Sequence, residues 1–202
     1  MNKAVSATID RFVPAPDVRL VHEILVYAPA ALVFDVAEHF ALDSIPLVRA
    51  MFWLRAKLLG ARFEREPMQK GLVEALLGLG WARLAYTSGR ELVMGSVTQP
   101  WLGEVNFRAI ADGSFAAFSE PGLVKIAWTL ETEPLGPALT RFRTETRVLA
   151  TDQDARTKFL AYWRKFRIGI VMIRWLIAPA LKKKAERRYK SENLVRPSAE
   201  TK

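Results

Sequence analysis

Residues 152–190 read DQDARTKFLAYWRKFRIGIVMIRWLIAPALKKKAERRYK, and this stretch decides the fold. Large apolar side chains recur in it at alternating steps of four and three residues, which places them on one face of a helix: Phe159, Trp163, Phe166, Ile170, Ile173 and Ile177. Thr151 or Asp152 supplies an N-cap, and basic residues crowd the last turns, where the helix dipole favours positive charge. A helix with so bulky a stripe needs a large apolar surface, and we expect the rest of the chain to be a curved sheet that receives it.

The length of 202 residues fits one domain. We predict a flexible lead-in over residues 1–17, a single domain over 18–190 and a disordered polar tail over 191–202. The chain has no cysteine, which excludes disulfides, thiolate nucleophiles and cysteine metal sites. The most apolar window, 168–181, spans only about 14 residues, too few to cross a bilayer. With no signal-peptide pattern at the start, the sequence predicts a soluble, cytoplasmic protein.

The net charge of +9 is unevenly distributed along the chain. The excess of Lys and Arg lies after residue 155, and the preceding part is close to neutral. Such a basic end has two interpretations: weak contact with an anionic membrane surface, or a solvated helix end that complements its dipole. Nucleic acid is disfavoured as a partner, because the stripe spacing buries the aromatic side chains that a nucleic-acid reader would expose.

The order of the predicted elements indicates an α+β fold. A strand over 19–27 precedes two short helices, over 30–39 and 44–60, and a further short helix follows over 72–77. Strands then alternate over 81–86, 91–98, 104–110, 123–133 and 140–149, before the long C-terminal helix begins. We expect about six or seven antiparallel strands wrapped on that helix, with the helix pair carrying the chain across the sheet.

This order resembles the START-like, or SRPBCC, superfamily with its helix-grip fold, which includes polyketide cyclases and lipid-transfer domains, and the chain looks like a bacterial branch of it. The resemblance is carried by the strand His22-Glu23-Ile24-Leu25-Val26-Tyr27 followed by Ala28-Pro29, by Gly80-Trp81, and by Thr144-Glu145-Thr146-Arg147-Val148 ahead of Tyr162-Trp163. It implies an apolar cavity between the sheet and the C-terminal helix. It does not imply a particular activity, because one fold carries many functions.

Large apolar side chains on the predicted inner faces and on neighbouring loops are candidates to line that cavity. The candidate ligand-binding residues are Met94, Trp101, Phe115, Phe118, Trp128, Phe142, Phe159, Trp163 and Phe166. The alternative is that each simply fills a core. On this basis we expect a small hydrophobic ligand, a lipid or a polyketide-like molecule, bound by a monomer or homodimer.

Three ionisable residues are catalytic candidates for the alternative function, a cyclase or dehydratase. His22 lies on the more apolar face of the first strand and could carry a proton. Glu145 and Arg147 share the opposite strand face from Phe142, which favours an outward position and cross-strand ion pairs of little energy. Arg174, amid apolar residues, is interpreted as a side chain that reaches out to solvent from the helix edge. No spacing indicates a metal site, and we predict no cofactor.

Overall fold

The computed structural model describes residues 7–40, 57 and 71–195. Its helices are α1 (Ala7–Asp10), α2 (Ala30–Glu38), α3 (Leu72–Gly78), α4 (Asp112–Phe115) and α5 (Gln153–Val195). Its strands are β1 (Val18–Val26), β2 (Ala82–Thr87), β3 (Glu91–Thr98), β4 (Val124–Gly136) and β5 (Leu139–Ala150). The predicted helix over 44–60 lies, apart from residue 57, outside the described residues.

The strands form one antiparallel sheet in the order β1-β5-β4-β3-β2. The first strand pairs with the last, and β1 and β2 lie at opposite edges, so the chain between them crosses the sheet. This confirms the α+β class and the helix-grip arrangement of an antiparallel sheet with a long C-terminal helix. The predicted count of six or seven strands is wrong for the described residues, which form five.

The strand predicted over 104–110 is reduced to a single bridge between Arg108 and Val97. β3 pairs with β4 along its whole length and with β2 over its first part, so only its last residues have a free edge. Ser96 then donates a side-chain hydrogen bond to the Arg108 carbonyl at 3.1 Å. The segment is therefore anchored to the sheet without adding a strand.

One face of the sheet, the inner face, lies against α5. The N-terminal turns of the helix pack Phe159 against Val124 and Val148. Its C-terminal turns place Leu181 and Ala185 in a larger core that also contains buried residues of α2, β1, β3, β4 and β5. The helix is therefore held at both of its ends by apolar packing, as its amphipathic stripe predicts.

Asp152 marks the beginning of α5. Its carboxylate accepts hydrogen bonds from the backbone N–H of Ala155, at 2.8 Å, and from that of Gly122. The first bond satisfies a free donor at the helix N-terminus, which is the role of an N-cap residue. The second ties the helix start to the turn that precedes β4.

The opposite, outer face of the sheet is also covered, which the sequence analysis did not predict. Residues 7–17, predicted to belong to a flexible lead-in, are packed there instead. Ile9, Phe12 and Val13 contribute to a second core with Val93, Val97, Leu84, Phe115 and Ala127. Their i, i+3, i+4 spacing sets them on one side of a helical turn, and the segment is too short for such periodicity to stand out.

The C-terminal boundary also differs from the prediction. Residues 191–195, assigned to a disordered tail, belong to α5, and residues 196–202 lie outside the described residues. Among the helices that the structure describes, none combines the length and hydrophobicity required to cross a membrane.

Candidate ligand-binding site

The middle of α5 lies between the two inner-face cores, over a strip of the sheet that carries polar side chains. The register sets two rows of residues here: Leu20, Thr146, Trp128 and Met94 form one, and His22, Thr144, Leu130 and Leu92 form the next. Trp128 Nε1 donates a hydrogen bond to Thr144 Oγ1 at 2.8 Å, which joins the rows. Hydroxyl, indole and imidazole groups are thus gathered beneath an apolar helix.

Arg174 is the charged group that α5 sets over this strip. Its Nη2 donates a hydrogen bond to Thr146 Oγ1. Its Nη1 is buried and has no hydrogen-bond partner among the described residues. Burial lowers the pKa of Arg174 from 12.5 to about 10, against the opposing effect of the negative charge on Glu145. The guanidinium therefore stays positive at neutral pH, and its Nη1 is left without a hydrogen-bond partner among the described residues.

His22 lies on the same face, at the edge of the strip. Burial lowers the pKa of His22 below 6.5, and the positive charge of Arg174 lowers it further. The imidazole is therefore mainly neutral at pH 7, with one nitrogen able to accept a proton. Its ring centroid lies 6.2 Å from that of Trp175, which is 68% exposed, so His22 sits where the strip reaches solvent.

Six of the nine predicted ligand-binding residues lie on the inner face, in two groups. Met94, Trp128 and Phe142 belong to the larger core, and Trp101, Phe159 and Trp163 belong to the core at the start of α5. The rings of Phe159 and Trp163 stack with centroids 6.4 Å apart. Each group lies at one end of the polar strip.

Phe166, the remaining candidate on α5, belongs to neither group. It is half-buried, with its ring 4.8 Å from that of Tyr162, and it belongs to neither core that the described residues form. Ile170, one turn further along the same helix face, is likewise half-buried and outside both cores. Phe159 and Trp163 on α5 thus belong to one apolar core and Leu181 and Ala185 to the other, whereas Phe166 and Ile170 between them belong to neither.

Phe115 and Phe118 lie on the other side of the sheet, so their prediction as residues that line a cavity between the sheet and α5 is wrong. Phe115 has no exposed surface and packs in the outer core, with its ring 6.2 Å from that of Phe12. Phe118 packs against the same core. The sequence places both residues on the loop before β4, but it does not determine on which side of the sheet that loop packs.

Glu145 lies at the centre of an ion cluster on the outer face. It accepts hydrogen bonds from Arg147 at 2.6 Å, Arg143 at 2.5 Å and Arg19 at 2.7 Å. Burial alone would raise the pKa of Glu145, but the bonds from these three arginines outweigh it and lower the pKa from 4.5 to about 2. The carboxylate is therefore ionised and fully engaged, which leaves it no role as a proton carrier at neutral pH.

Arg147 joins this cluster to the N-terminal segment. It donates hydrogen bonds to the carboxylate of Asp10 and, at 2.8 Å, to the carbonyl of Val13. The outward position of Glu145 and Arg147 agrees with the sequence alternation, whereas the expected solvent exposure is wrong: the residues are 0% and 2% exposed. Neither faces the strip below α5.

Sequence reasoning missed the importance of Arg174, which it placed at a solvent-facing helix edge. The available signal was its position: it is the only charged residue between Ile168 and Leu181, and it follows Ile170 by one helical turn. A charged residue in register with an apolar stripe lies above the surface that the stripe covers.

Of the depressions that described residues line, two shallow ones are noted, and neither lies under the middle of α5. One, of about 290 Å³, lies beside the β2–β3 turn and is lined by Thr87, Arg90, Glu91, Glu131, Thr132 and Glu133. The other, of about 360 Å³, lies on the C-terminal part of α5 and is lined by Pro179, Lys182, Lys183, Glu186, Arg187 and Lys190. In the part of the chain that the structure describes, no cluster of three His, Asp or Glu residues is arranged to hold a metal ion.

Comparisons with known proteins leave the family open. No family model matches the chain, and no curated protein matches it. Among solved structures, the chain is similar to the Zhui aromatase/cyclase from Streptomyces sp. R1128, with 14% sequence identity and a TM-score of 0.29. The alignment covers 91% of this chain and 99% of that one. A similarity this low gives no basis for transferring a ligand or a reaction.

Proposed function

We propose that the protein binds a small amphipathic molecule between the inner face of the sheet and the middle of α5. The ligand has an apolar body and an anionic or strongly hydrogen-bond-accepting head group. The observation that carries the proposal is Arg174: a half-buried cation whose Nη1 is buried and has no hydrogen-bond partner among the described residues. Buried polar groups in proteins are nearly always satisfied, so an unpaired guanidinium donor points to a partner that arrives from outside.

The polarity of the surroundings supports an acceptor as the head group. Arg174 Nη1 and Nη2 are both donors, and Nη2 is already occupied by Thr146. A carboxylate or enolate oxygen at Nη1 would form a charge-assisted hydrogen bond in a partly desolvated space, where such bonds are strongest. The half-buried Phe166 and Ile170 would cover the apolar body of the ligand.

The test measures the binding of two probes, decanoate and 1-decanol, by calorimetric titration. The two probes have alkyl chains of the same length and differ in the head group. We expect decanoate to bind more tightly, by about tenfold or more, since a hydrogen bond to a charged group contributes about 1.5–3 kcal/mol. Arg174→Met should abolish that preference while leaving decanol binding unchanged. The matched control is Arg167→Met, which removes an exposed arginine two turns earlier on the same helix.

Two results overturn the proposal. One is equal affinity of the wild-type protein for both probes, or a preference that survives Arg174→Met. The other is a lack of binding to either probe, combined with an organic extract of the purified protein that contains no small molecule by mass spectrometry.

A second candidate function, proton-transfer catalysis of the cyclase or dehydratase type, is favoured by one observation. His22 lies on the same face of the sheet as Thr146, the hydrogen-bond partner of Arg174, one row away from it, and burial together with the positive charge of Arg174 lowers the pKa of His22. A neutral imidazole beside a fixed cation suits a reaction in which a base removes a proton while negative charge grows on a carbonyl oxygen. In that case His22→Gln should still bind decanoate but should no longer convert a substrate that the wild-type protein converts. Unchanged turnover of that substrate would exclude His22 as the base.

A further inference from the structure

We infer that the outward side of α5 is a docking surface for an anionic lipid bilayer, with Trp175 inserted at the lipid interface. Trp175 lies beside His22 at the solvent edge of the polar strip, whereas Arg174 points to the sheet, and the inference does not depend on the ligand proposed above. It is carried by three exposed apolar residues and by the basic residues on both sides of them.

The apolar part, the α5 outer stripe, consists of Ile168, Met172 and Trp175. These residues are 69%, 44% and 68% exposed. Their i, i+4, i+7 spacing aligns them along one side of the helix over about 10 Å. Single exposed apolar residues are common on proteins, but an aligned set that ends in tryptophan indicates an interaction surface.

Basic residues flank the outer stripe on both sides along the helix. Arg164 and Lys165 lie one turn before it, and both are exposed. After it comes the depression of about 360 Å³ whose lining includes Lys182, Lys183, Arg187 and Lys190 against a single acidic residue, Glu186. A helix with apolar residues between basic clusters has the pattern of a segment that lies in the plane of an anionic membrane.

Tyr27 extends the surface from α5 onto the body of the protein. It is 62% exposed, and Lys182 Nζ lies 5.1 Å from its ring centroid. The backbone N–H of Tyr27 donates to Glu186 at 3.0 Å, which fixes the residue beside the helix. Tyrosine and tryptophan are enriched at the level of lipid head groups, because each ring combines an apolar body with a polar tip.

Charge complementarity selects a lipid surface over a second copy of this chain. From Ala155 to Ala185 the helix carries nine Lys and Arg residues and no Asp or Glu. Two such helices packed side by side would bring like charges together with no acidic partner in this stretch, which disfavours association. An anionic surface instead attracts each basic residue near it, by about fivefold in affinity.

The test is sedimentation of the full chain with vesicles of phosphatidylcholine alone and with about 30% phosphatidylglycerol. We expect binding only to the anionic vesicles, falling steeply as salt is raised. Arg164→Gln with Lys165→Gln should weaken it about tenfold or more, whereas the control pair Arg83→Gln with Arg90→Gln, exposed at the opposite edge of the sheet, should not.

The apolar contribution has its own pair of variants. Ile168→Ser with Trp175→Ser should weaken vesicle binding about tenfold or more. The control Val21→Ser with Leu25→Ser removes apolar residues of 44% and 46% exposure from β1 and should have little effect. Lipids brominated near the head group should quench part of the protein's tryptophan fluorescence, and Trp175→Phe should remove that part while binding persists.

Three results overturn the inference. The first is equal binding to neutral and anionic vesicles, or binding to neither. The second is quenching that survives Trp175→Phe. The third is a wild-type dimer in analytical ultracentrifugation that Ile168→Ser with Trp175→Ser converts to a monomer, which would assign the outer stripe to self-association.

Discussion

Each face of the sheet holds a charged group that is at least partly buried, and the two groups differ in how many hydrogen-bond partners they have. On the outer face, one carboxylate, Glu145, receives hydrogen bonds from three arginines. On the inner face, one arginine, Arg174, has a threonine hydroxyl as its hydrogen-bond partner and leaves Nη1 without one among the described residues. A buried carboxylate that three arginines hold, as they hold Glu145, keeps parts of a fold together, whereas a guanidinium with a single hydroxyl partner is kept at a cost in stability, which implies a use outside folding.

The largest effect we expect is on the outer face. Glu145→Gln leaves three arginines around a neutral side chain, two of them buried, and should lower the free energy of unfolding by about 3–5 kcal/mol. The control is Glu133→Gln, which breaks an exposed pair with Arg141 at 2.5 Å and should cost less than about 1 kcal/mol. Denaturant unfolding of both variants measures the difference. Equal losses would show that burial of the Glu145 cluster contributes nothing.

If Glu145→Gln is too unstable to purify, a refolding yield far below that of Glu133→Gln gives the same ranking. Recovery of both variants at wild-type yield and stability would contradict the prediction.

The second effect concerns the pH dependence of the same cluster. The folded-state pKa of Glu145, about 2, lies below its ordinary value of 4.5, so its stabilisation is complete above pH 4.5 and is lost as the pH falls toward 2. The shift corresponds to about 3 kcal/mol. The gap in unfolding free energy between the wild type and Glu145→Gln should therefore narrow by about that amount across this range. A gap that stays constant with pH would mean that the carboxylate is not ionised in the fold.

The third effect is smaller, because it concerns the partly exposed end of the cluster. Asp10→Asn weakens the contact between α1 and Arg147, which keeps its bonds to Glu145 and to the Val13 carbonyl. The Asp10 side chain is 44% exposed, so we expect a loss of about 1 kcal/mol. Glu120→Gln, which breaks the exposed pair with Arg108, is the control and should cost less. Earlier proteolysis of residues 7–17 in Asp10→Asn than in the control would locate the loss at α1.

Sequence reasoning placed the inner face well, because long periodic elements determine it. The stripe of α5 and the alternation of Phe142 with Glu145 on β5 are strong signals, and the structure sets them against each other as predicted. The outer face was missed, because its cover is a four-residue helix with one turn of periodicity. A segment that short carries too little pattern to be distinguished from a loop.

The charged residues show a second limit of sequence. Alternation put Glu145 on the outward side, and outward was equated with exposed, which holds only if nothing covers that side. The opposite difference holds for Arg174: its charge predicts solvent exposure, although its helical position is in register with the apolar stripe. In both cases the expected exposure follows from the residue's own charge and position. Its actual burial depends on which other segment packs over it.

The smallest expected change in stability, and the sharpest contrast with Glu145, is at Arg174. Arg174→Met removes a half-buried charge, loses a single hydrogen bond to Thr146, and places a flexible apolar side chain between two apolar cores. Replacing a poorly compensated buried charge with an apolar side chain is often neutral or stabilising, and we expect a change between zero and a gain of about 1 kcal/mol in unfolding free energy. Denaturant unfolding of the ligand-free protein measures it. A loss of about 3 kcal/mol or more would mean that Arg174 has an anionic partner within the chain, and the distinction between the two faces would then disappear.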